Sequence, residues 1–415
     1  MGLSYSEWNE VKLSDIAQYV SDKIETSMIN KDNYISTENM LPNKGGVTIA
    51  TNLPNTKKVN SSLKGDILIS NIRPYFKKIW YCDYPCGVST DVLIIRTKDN
   101  RIYNKFLYYF LSQDKFFDFM VGTSKGTKMP RGDKNAIMSY QFKLPPLKEQ
   151  KLIAKLFELI DEKIKLNNEM NKTLEEIAQS IFKHWFVDFE FPNENGEPYK
   201  SNGGKFVESE LGMIPEGWYI GKLTDIAELI MGQSPKGDTY NFEGKGLGLI
   251  NGASDFKDGK ITPLKYTTDP KKVSKKGDWI FGVRATVGNV TYVDKEYCLG
   301  RGVGVARALS DKVREYLYFQ LIEGINYLEK TALGSVYINL SKSDLENMKF
   351  VIPSKKIIKR FHETVSPLFN KININTVENN NLILLRDNLL PKLMSGEIRI
   401  PEAEEAVESC LQKNN

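Results

Sequence analysis

The sequence predicts an α+β chain: two homologous mixed α/β domains with two long coiled-coil helices, arranged with pseudo-two-fold symmetry. Three observations predict it. Trp8, Leu13, Asp15, Ile16 and Ala17 recur as Trp218, Leu223, Asp225, Ile226 and Ala227, each 210 residues later. Gly65-Asp66 returns as Gly277-Asp278, and Phe142…Pro145 as Phe350…Pro353. A period this long is a duplicated domain, well beyond the length of a solenoid unit. Strand-like and helix-like runs alternate in both halves without strict βα spacing, which points to α+β domains. Each half then closes on a long stretch with apolar residues every seventh position.

The first domain spans residues 1–146. Asp66-Ile67-Leu68-Ile69-Ser70 and Asp91-Val92-Leu93-Ile94-Ile95 are rich in branched aliphatics and bounded by turn formers, as strands are. Asn104–Phe119 places Phe106, Leu107, Phe110 and Leu111 on one helical stripe. The second domain, 213–353, repeats the order, with strands at Gly277–Phe281 and Arg301–Ala306 and a helix at Glu315–Leu328.

After Pro145-Pro146 the texture changes. From Glu149 to about Val187 the chain is nearly free of Gly and Pro. Ile153, Ile160, Asn167, Leu174 and Ile181 fall on one heptad seam, with Leu156, Met170 and Ile177 as the complementary seam, interrupted by Lys163. Sustained apolar heptads predict a coiled-coil helix over 147–190. The seam returns 208 residues later as Phe361, Leu368, Asn375, Leu382 and Leu389, giving a second helix over 354–396. Asn167 maps onto Asn375; a polar seam residue fixes register at a cost in stability. Two helices carrying one seam pair most simply with each other, and forty residues at ~1.5 Å each make a rod of about 60 Å separating the domains. Residues 191–212 (containing FPNENGEPYKSNGG) read as a linker. Pro391 and Gly396 weaken the second helix at its far end, and the acidic segment 397–415 reads as a mobile tail.

Composition excludes several classes. Hydrophobic residues at 41% and charged residues at 26% are ordinary for a globular protein. The beginning, MGLSYSEWNE, shows no secretory pattern, no apolar run spans a bilayer, and four cysteines fit reduced thiols, so a cytoplasmic protein is expected. Only His184 and His362 are present, both in helical segments, which argues against a His-based triad. Cys82 and Cys86 lack a second ligand pair for zinc. There is no phosphate-binding G-x₄-G-K-[ST]. Gly300-Arg301-Gly302-Val303-Gly304 does not lead into a helix, so a bulged or closely approached strand is the better reading than a cofactor loop. The net charge is +5, and Val121–Asn135 concentrates Lys125, Lys128, Arg131 and Lys134 against Asp133. Basic loops attract polyanions. Two similar domains, a spacer and no recognisable active site indicate recognition, not reaction.

These features resemble the specificity subunit of type I restriction–modification systems, over essentially the whole chain. Phe142-Lys143-Leu144-Pro145-Pro146-Leu147-Lys148-Glu149-Gln150 resembles the start of that family's central helix, and Trp185-Phe186-Val187-Asp188-Phe189 its end. Gly217-Trp218 through Asp225-Ile226-Ala227, with Gly232-Gln233-Ser234-Pro235, resembles the start of a target-recognition domain. Leu389-Leu390-Pro391-Lys392-Leu393-Met394-Ser395-Gly396-Glu397-Ile398 is similar to the end of the distal helix. The resemblance implies a non-catalytic subunit reading a bipartite asymmetric double-stranded DNA target, one domain per half-site, with the helices setting the gap. It implies two methylation subunits using S-adenosylmethionine, restriction subunits using ATP and Mg²⁺, and no cofactor or metal in this chain. Two departures stand out. Val20-Ser21-Asp22-Lys23 replaces the Gly-Gln-Ser-Pro-like turn in the first half, and Gly334–Asn339 is far less basic than Gly126–Arg131. The alternative is a non-enzymatic protein-interaction scaffold with duplicated domains.

Arg and Lys pair with guanine, and Asn and Gln with adenine, in the major groove, while lysines also hold phosphates. The expected DNA-binding residues are Arg73, Lys77, Lys125, Lys128 and Arg131 in the first half. In the second they are Gln233, Ser234, Arg284, Arg301, Tyr337, Asn339 and Lys342.

Overall fold

A computed structural model describes residues 8–257, 259–283, 289–331 and 340–412. The chain divides into two compact units, Met1–Lys165 with Glu378–Asn415, and Leu166–Val377. Each unit therefore contains one globular domain and a segment of both long helices.

In the first unit, Asn9–Lys12 pairs antiparallel with Gln141–Leu144, setting Val11 opposite Phe142. A four-stranded antiparallel sheet follows in the order Ala17–Tyr19, Val92–Thr97, Ile67–Ser70, Ile79–Tyr81. Every residue of Ile67–Ser70 is buried, as its run of branched aliphatics requires. A smaller sheet orders Lys23–Glu25, Lys58–Ser62, Cys86–Val88 and Tyr34–Ile35, the last two parallel.

The second unit reproduces the ladder, Tyr219–Lys222 on Lys349–Ile352, and the main sheet, Ala227–Met231, Val303–Ala308, Trp279–Gly282, Val290–Tyr292. Its small sheet is wired differently. Lys265–Thr267 pairs with Leu247–Ile250, which runs parallel to Cys298–Leu299 at the edge. The second and fourth strands in chain order have exchanged places relative to the first unit.

The repeated Leu-x-Asp-Ile-Ala motif has a local cause. Asp15 accepts a hydrogen bond from the Lys12 N–H at 2.8 Å, and Asp225 from the Lys222 N–H at 2.8 Å. The carboxylate closes the turn on an otherwise unpaired donor, while Leu13, Ile16, Leu223 and Ile226 enter the core.

The helix expected over Asn104–Phe119 is two helices, Asn104–Leu111 and Asp114–Gly122. Ser112 returns its hydroxyl to the Tyr108 carbonyl at 2.7 Å, and Gln113 is extended at φ −68°, ψ 146°. Local side-chain bonding of this kind competes with helix continuation.

The two long helices are Leu147–Phe182 and Lys355–Ser395. Gln150 anchors the first. Its amide accepts from the Tyr103 N–H at 2.8 Å and donates to the carbonyls of Arg101 (2.8 Å) and Pro145 (2.7 Å). The helix ends in a wide turn, with the Asp188 N–H on the Lys183 carbonyl at 2.9 Å and Phe189 left-handed at φ +58°.

On the seam, Ile153, Ile160, Asn167, Phe361, Asn375, Leu382 and Leu389 are buried, whereas Leu174, Ile181 and Leu368 are half-buried. The complementary seam departs from expectation. Leu156 is buried, but Met170 and Ile177 are exposed, and Phe157, Ile164, Asn171 and Ala178 take the inner positions. They lie four residues, not three, beyond the first set, so both steps of the 3-4 spacing were present and the order was reversed. In the first unit Arg386 meets Asp161 at 3.0 Å and Lys163 meets Glu378 at 3.2 Å. In the second, Asn375 Nδ2 donates to Asn171 Oδ1 at 2.8 Å, and Phe182 packs on Phe361. The helix segments within each unit are thus antiparallel.

Pro391 does not end its helix, which runs to Ser395. Termination comes at Gly396, φ +75°, with the Glu397 N–H on the Lys392 carbonyl at 2.9 Å and the Gly396 N–H on Leu393 at 3.3 Å. That double bond pattern is a left-handed glycine cap. The segment expected as a mobile tail forms the helix Ile400–Gln412, because Ile400 and Ala403 bury against the first core. The expected linker is likewise structured: Phe191 stacks on Trp218 at 4.7 Å, and Phe206–Ser209 pairs with Gly212–Pro215.

Candidate nucleic-acid interface

In the first unit three loops converge. The segment Lys125–Arg131 closes on itself through reciprocal backbone hydrogen bonds at 2.9 Å between those two residues, with Gly126 left-handed at φ +93°. It is stitched to the loop after Ile67–Ser70: the Arg73 N–H donates to the Pro130 carbonyl at 2.8 Å, and the Gly132 N–H to Asn71 at 3.1 Å. A third loop joins through the Asn43 N–H on Phe76 (2.8 Å) and the Lys44 N–H on Lys77 (2.9 Å). Arg73, Lys77, Lys125, Lys128 and Arg131, distant in sequence, therefore share one place.

Their carboxylate partners separate them. Lys77 and Lys44 both lie 3.0 Å from Asp114. Burial pushes the Asp114 carboxyl up, and the two ammonium groups outweigh it and hold the carboxyl below its usual range. Lys125 meets Asp133 at 2.5 Å and Arg131 meets Asp91 at 3.1 Å. Asp133 is held low by Lys125 and by the N–H groups of Ala136 and Asn135, whose helix it caps. Lys125–Asp133 and Arg131–Asp91 are solvent-screened pairs that contribute little to stability, so a phosphate can displace them. Arg73 and Lys128 are exposed and have no carboxylate partner among the described residues. Lys44 escaped the sequence reading; the turn Pro42-Asn43-Lys44-Gly45-Gly46 was the available signal.

In the second unit, Gln233, Ser234 and Arg301 come together. The Gln233 N–H donates to Leu299 at 2.8 Å, and Arg301 Nε donates to Ser234 Oγ at 3.2 Å. Glycine permits this approach. A Cβ on Gly232 would lie 2.0 Å from the Gly300 carbonyl oxygen, and one on Gly302 would lie 2.0 Å from that of Asn251. The close backbone approach read from Gly300–Gly304 is present at Gly300 and Gly302, but Arg301 and Gly302 form a turn and the strand begins at Val303. Lys342 opens the short helix Lys342–Glu346 and pairs with Glu346 at 3.2 Å; no hydrogen bond or ion pair among the described residues joins it to Arg301. Arg284, Tyr337 and Asn339 lie outside the described residues.

Other chemistry-bearing groups are occupied structurally. His362 Nδ1 lies 2.5 Å from Glu315, which also receives Arg314 at 2.8 Å. His184 is exposed on the turn after the first long helix. Cys82 and Cys86 are buried thiols, both touching Ser62 Oγ. Among the described residues no group of three or more His, Cys, Asp or Glu side chains could hold a metal.

Residues 5–176 and 215–384 each match the sequence profile of the type I restriction–modification DNA specificity domain. The chain belongs to that family. The chain is similar to the HindI specificity subunit of Haemophilus influenzae, at 26% identity with 95% of this chain and 100% of the relative covered. It is also similar to the putative MjaX specificity subunit of Methanocaldococcus jannaschii, at 27% identity with 75% and 72% covered. The solved S subunit from M. genitalium shares the fold, with a TM-score of 0.57 at 14% identity over 95% of this chain and 97% of that one. This specificity subunit is a non-catalytic DNA-recognition component of a type I system, and the scaffold alternative falls away. The two matched segments are the two halves of the duplication, each bearing one of the loop clusters described above.

Proposed function

We propose that the two domains read the two halves of an asymmetric, bipartite duplex DNA target, one half-site each. The convergence of Arg73, Lys77, Lys125, Lys128 and Arg131 on two stitched loops, with Lys44 on a third, carries this reading for the first domain. Gln233, Ser234 and Arg301 carry it for the second. The unequal charge of the two clusters supports different base preferences. Arg73, without a carboxylate partner among the described residues, is the guanine reader, Gln233 the adenine reader, and the lysines fix register on phosphates. The long helices set the gap between half-sites and dock two methylation subunits, with restriction subunits completing the complex. S-adenosylmethionine, ATP and Mg²⁺ belong to those partners. No helix among the described residues is long and apolar enough to cross a membrane, and a cytoplasmic location accords with a DNA target.

The test is methylation by the assembled complex. Mapping methylated adenines defines both half-sites and their gap. Arg131→Ala should then slow methylation on cognate duplex and relax preference in one half-site; unchanged kinetics would remove Arg131 from the interface. One heptad inserted into both helices should lengthen the tolerated gap.

A further inference from the structure

The turn Pro74-Tyr75-Phe76 does something the cations around it do not explain. Tyr75 is 49% exposed and Phe76 39%. Their rings lie 4.7 Å apart, tilted by 54°. Single exposed apolar side chains are common and need no account. Here two adjacent aromatics share a tip whose flanks are both left-handed, Arg73 at φ +49° and Lys77 at φ +51°. Non-glycine residues adopt that conformation only when their surroundings impose it. Bonds to Pro130, Asn43 and Lys44 impose it from outside the turn, and those from Phe76 to Arg73 and from Lys77 to Pro74 from within. The frame is built to hold the two rings outward.

What covers the rings is decided by the charge around them. Arg73 and Lys77 flank the apolar tip, Lys78 Nζ lies 5.7 Å from the centre of the Phe76 ring, and Arg131 bridges to Ile72 just before the turn. This cationic setting complements a polyanion carrying apolar base faces. Resting on the assignment of this face to DNA, we propose that Tyr75 and Phe76 form a wedge that presses between two base pairs at the first half-site. Apolar wedges unstack a step and kink the duplex. Pyrimidine–purine steps unstack most readily, so the wedge selects sequence through deformability as well as through hydrogen bonds.

The experiment uses the complex of this chain with its methylation subunits and the duplex defined by methylation mapping. 2-Aminopurine is placed in turn at each unmethylated position of the first half-site. The parent complex is expected to raise emission several-fold at one step. Tyr75→Ala with Phe76→Ala should abolish that rise and weaken binding about tenfold, the scale of one lost base–aromatic contact. Tyr75→Phe keeps the ring and should behave as the parent. No rise in the parent, a rise that survives the double alanine variant, or loss on Tyr75→Phe overturns the wedge. Lys128→Ala separates the two ideas, since a phosphate contact lowers the salt dependence by about one ion. If that slope falls while the aromatic variants are silent, the DNA face stands and the wedge does not. If Lys128→Ala and Lys77→Ala both leave the slope unmoved, the face assignment fails and takes the wedge with it.

Discussion

Arg96 grips Asp66 with two parallel hydrogen bonds, Nε to Oδ1 at 2.7 Å and Nη2 to Oδ2 at 2.8 Å. Arg307 and Asp278 repeat the arrangement at 2.9 Å and 2.9 Å. In both halves the carboxylate is 2% exposed and also accepts a backbone N–H, from Leu63 or from Lys275. The recurring Gly-Asp pair is thus one buried clasp made twice, tying the turn before one central strand to the strand beside it.

Removing either carboxylate orphans the Leu63 or Lys275 N–H and strips the guanidinium of its buried partner. Arg96 is left with Asp22 at 3.3 Å and Arg307 with Glu228 at 3.6 Å, so the loss falls below the ~3 kcal/mol of breaking a fully buried pair. Asp66→Ala and Asp278→Ala should each lower the thermal midpoint by several degrees and by similar amounts. Scanning calorimetry that finds the two losses grossly unequal would show that the clasps are not equivalent.

Gln150 should be intolerant of apolar replacement. Gln150→Leu orphans the Tyr103 N–H and the carbonyls of Arg101 and Pro145. Buried unpaired groups cost about 1–3 kcal/mol each. The equivalent position in the second half is already apolar, Ile358, and buried. Ile358→Leu should therefore be nearly silent in denaturant melts in which Gln150→Leu is severe.

Gly232→Ala should damage the second recognition cluster specifically. The added methyl has no room beside Gly300, and overpacking costs about 1–3 kcal/mol. Methylation assays on duplexes mutated in one half-site at a time should show lost discrimination in one half only. Equal loss in both would mean that the defect is global.

Alkaline titration should expose buried phenols. Burial pushes Tyr81 up to about 12. Burial raises Tyr108, Tyr109, Tyr316 and Tyr318 further still, with Asp161 and Glu175 adding to Tyr109 and Tyr318. The folded state holds these groups neutral, so their contribution is intact below the ordinary phenol pKa of about 10 and is lost as pH rises above it. Ultraviolet absorbance should show this set ionising together with unfolding, above the pH at which exposed tyrosines titrate.

Much of this was legible in the sequence, and the limits have physical causes. The Leu-x-Asp-Ile-Ala repeat, the Gly-Asp pair and the heptad asparagines are local or periodic signals, and each marks a real element. The break at Ser112-Gln113 was hidden because two helices in succession can share one apolar stripe. The second seam was misplaced because apolar residues stand both three and four positions on, and only packing chooses between them. The cationic loops were found by composition. Which cations are spoken for was not, because their acids, Asp91 and Asp114, arrive from other parts of the fold. The aromatic tip carries no periodic signal, since its outward pose depends on backbone bonds to Pro130 and Asn43.

The exchanged strands in the two small sheets carry a last consequence. A duplicated reader with identical halves could sit on its target either way round and could not tell head from tail. Rewiring one sheet removes that ambiguity at the level of the backbone, before any side chain differs. The bound protein then has a polarity, and the two strands of DNA beneath it cease to be equivalent.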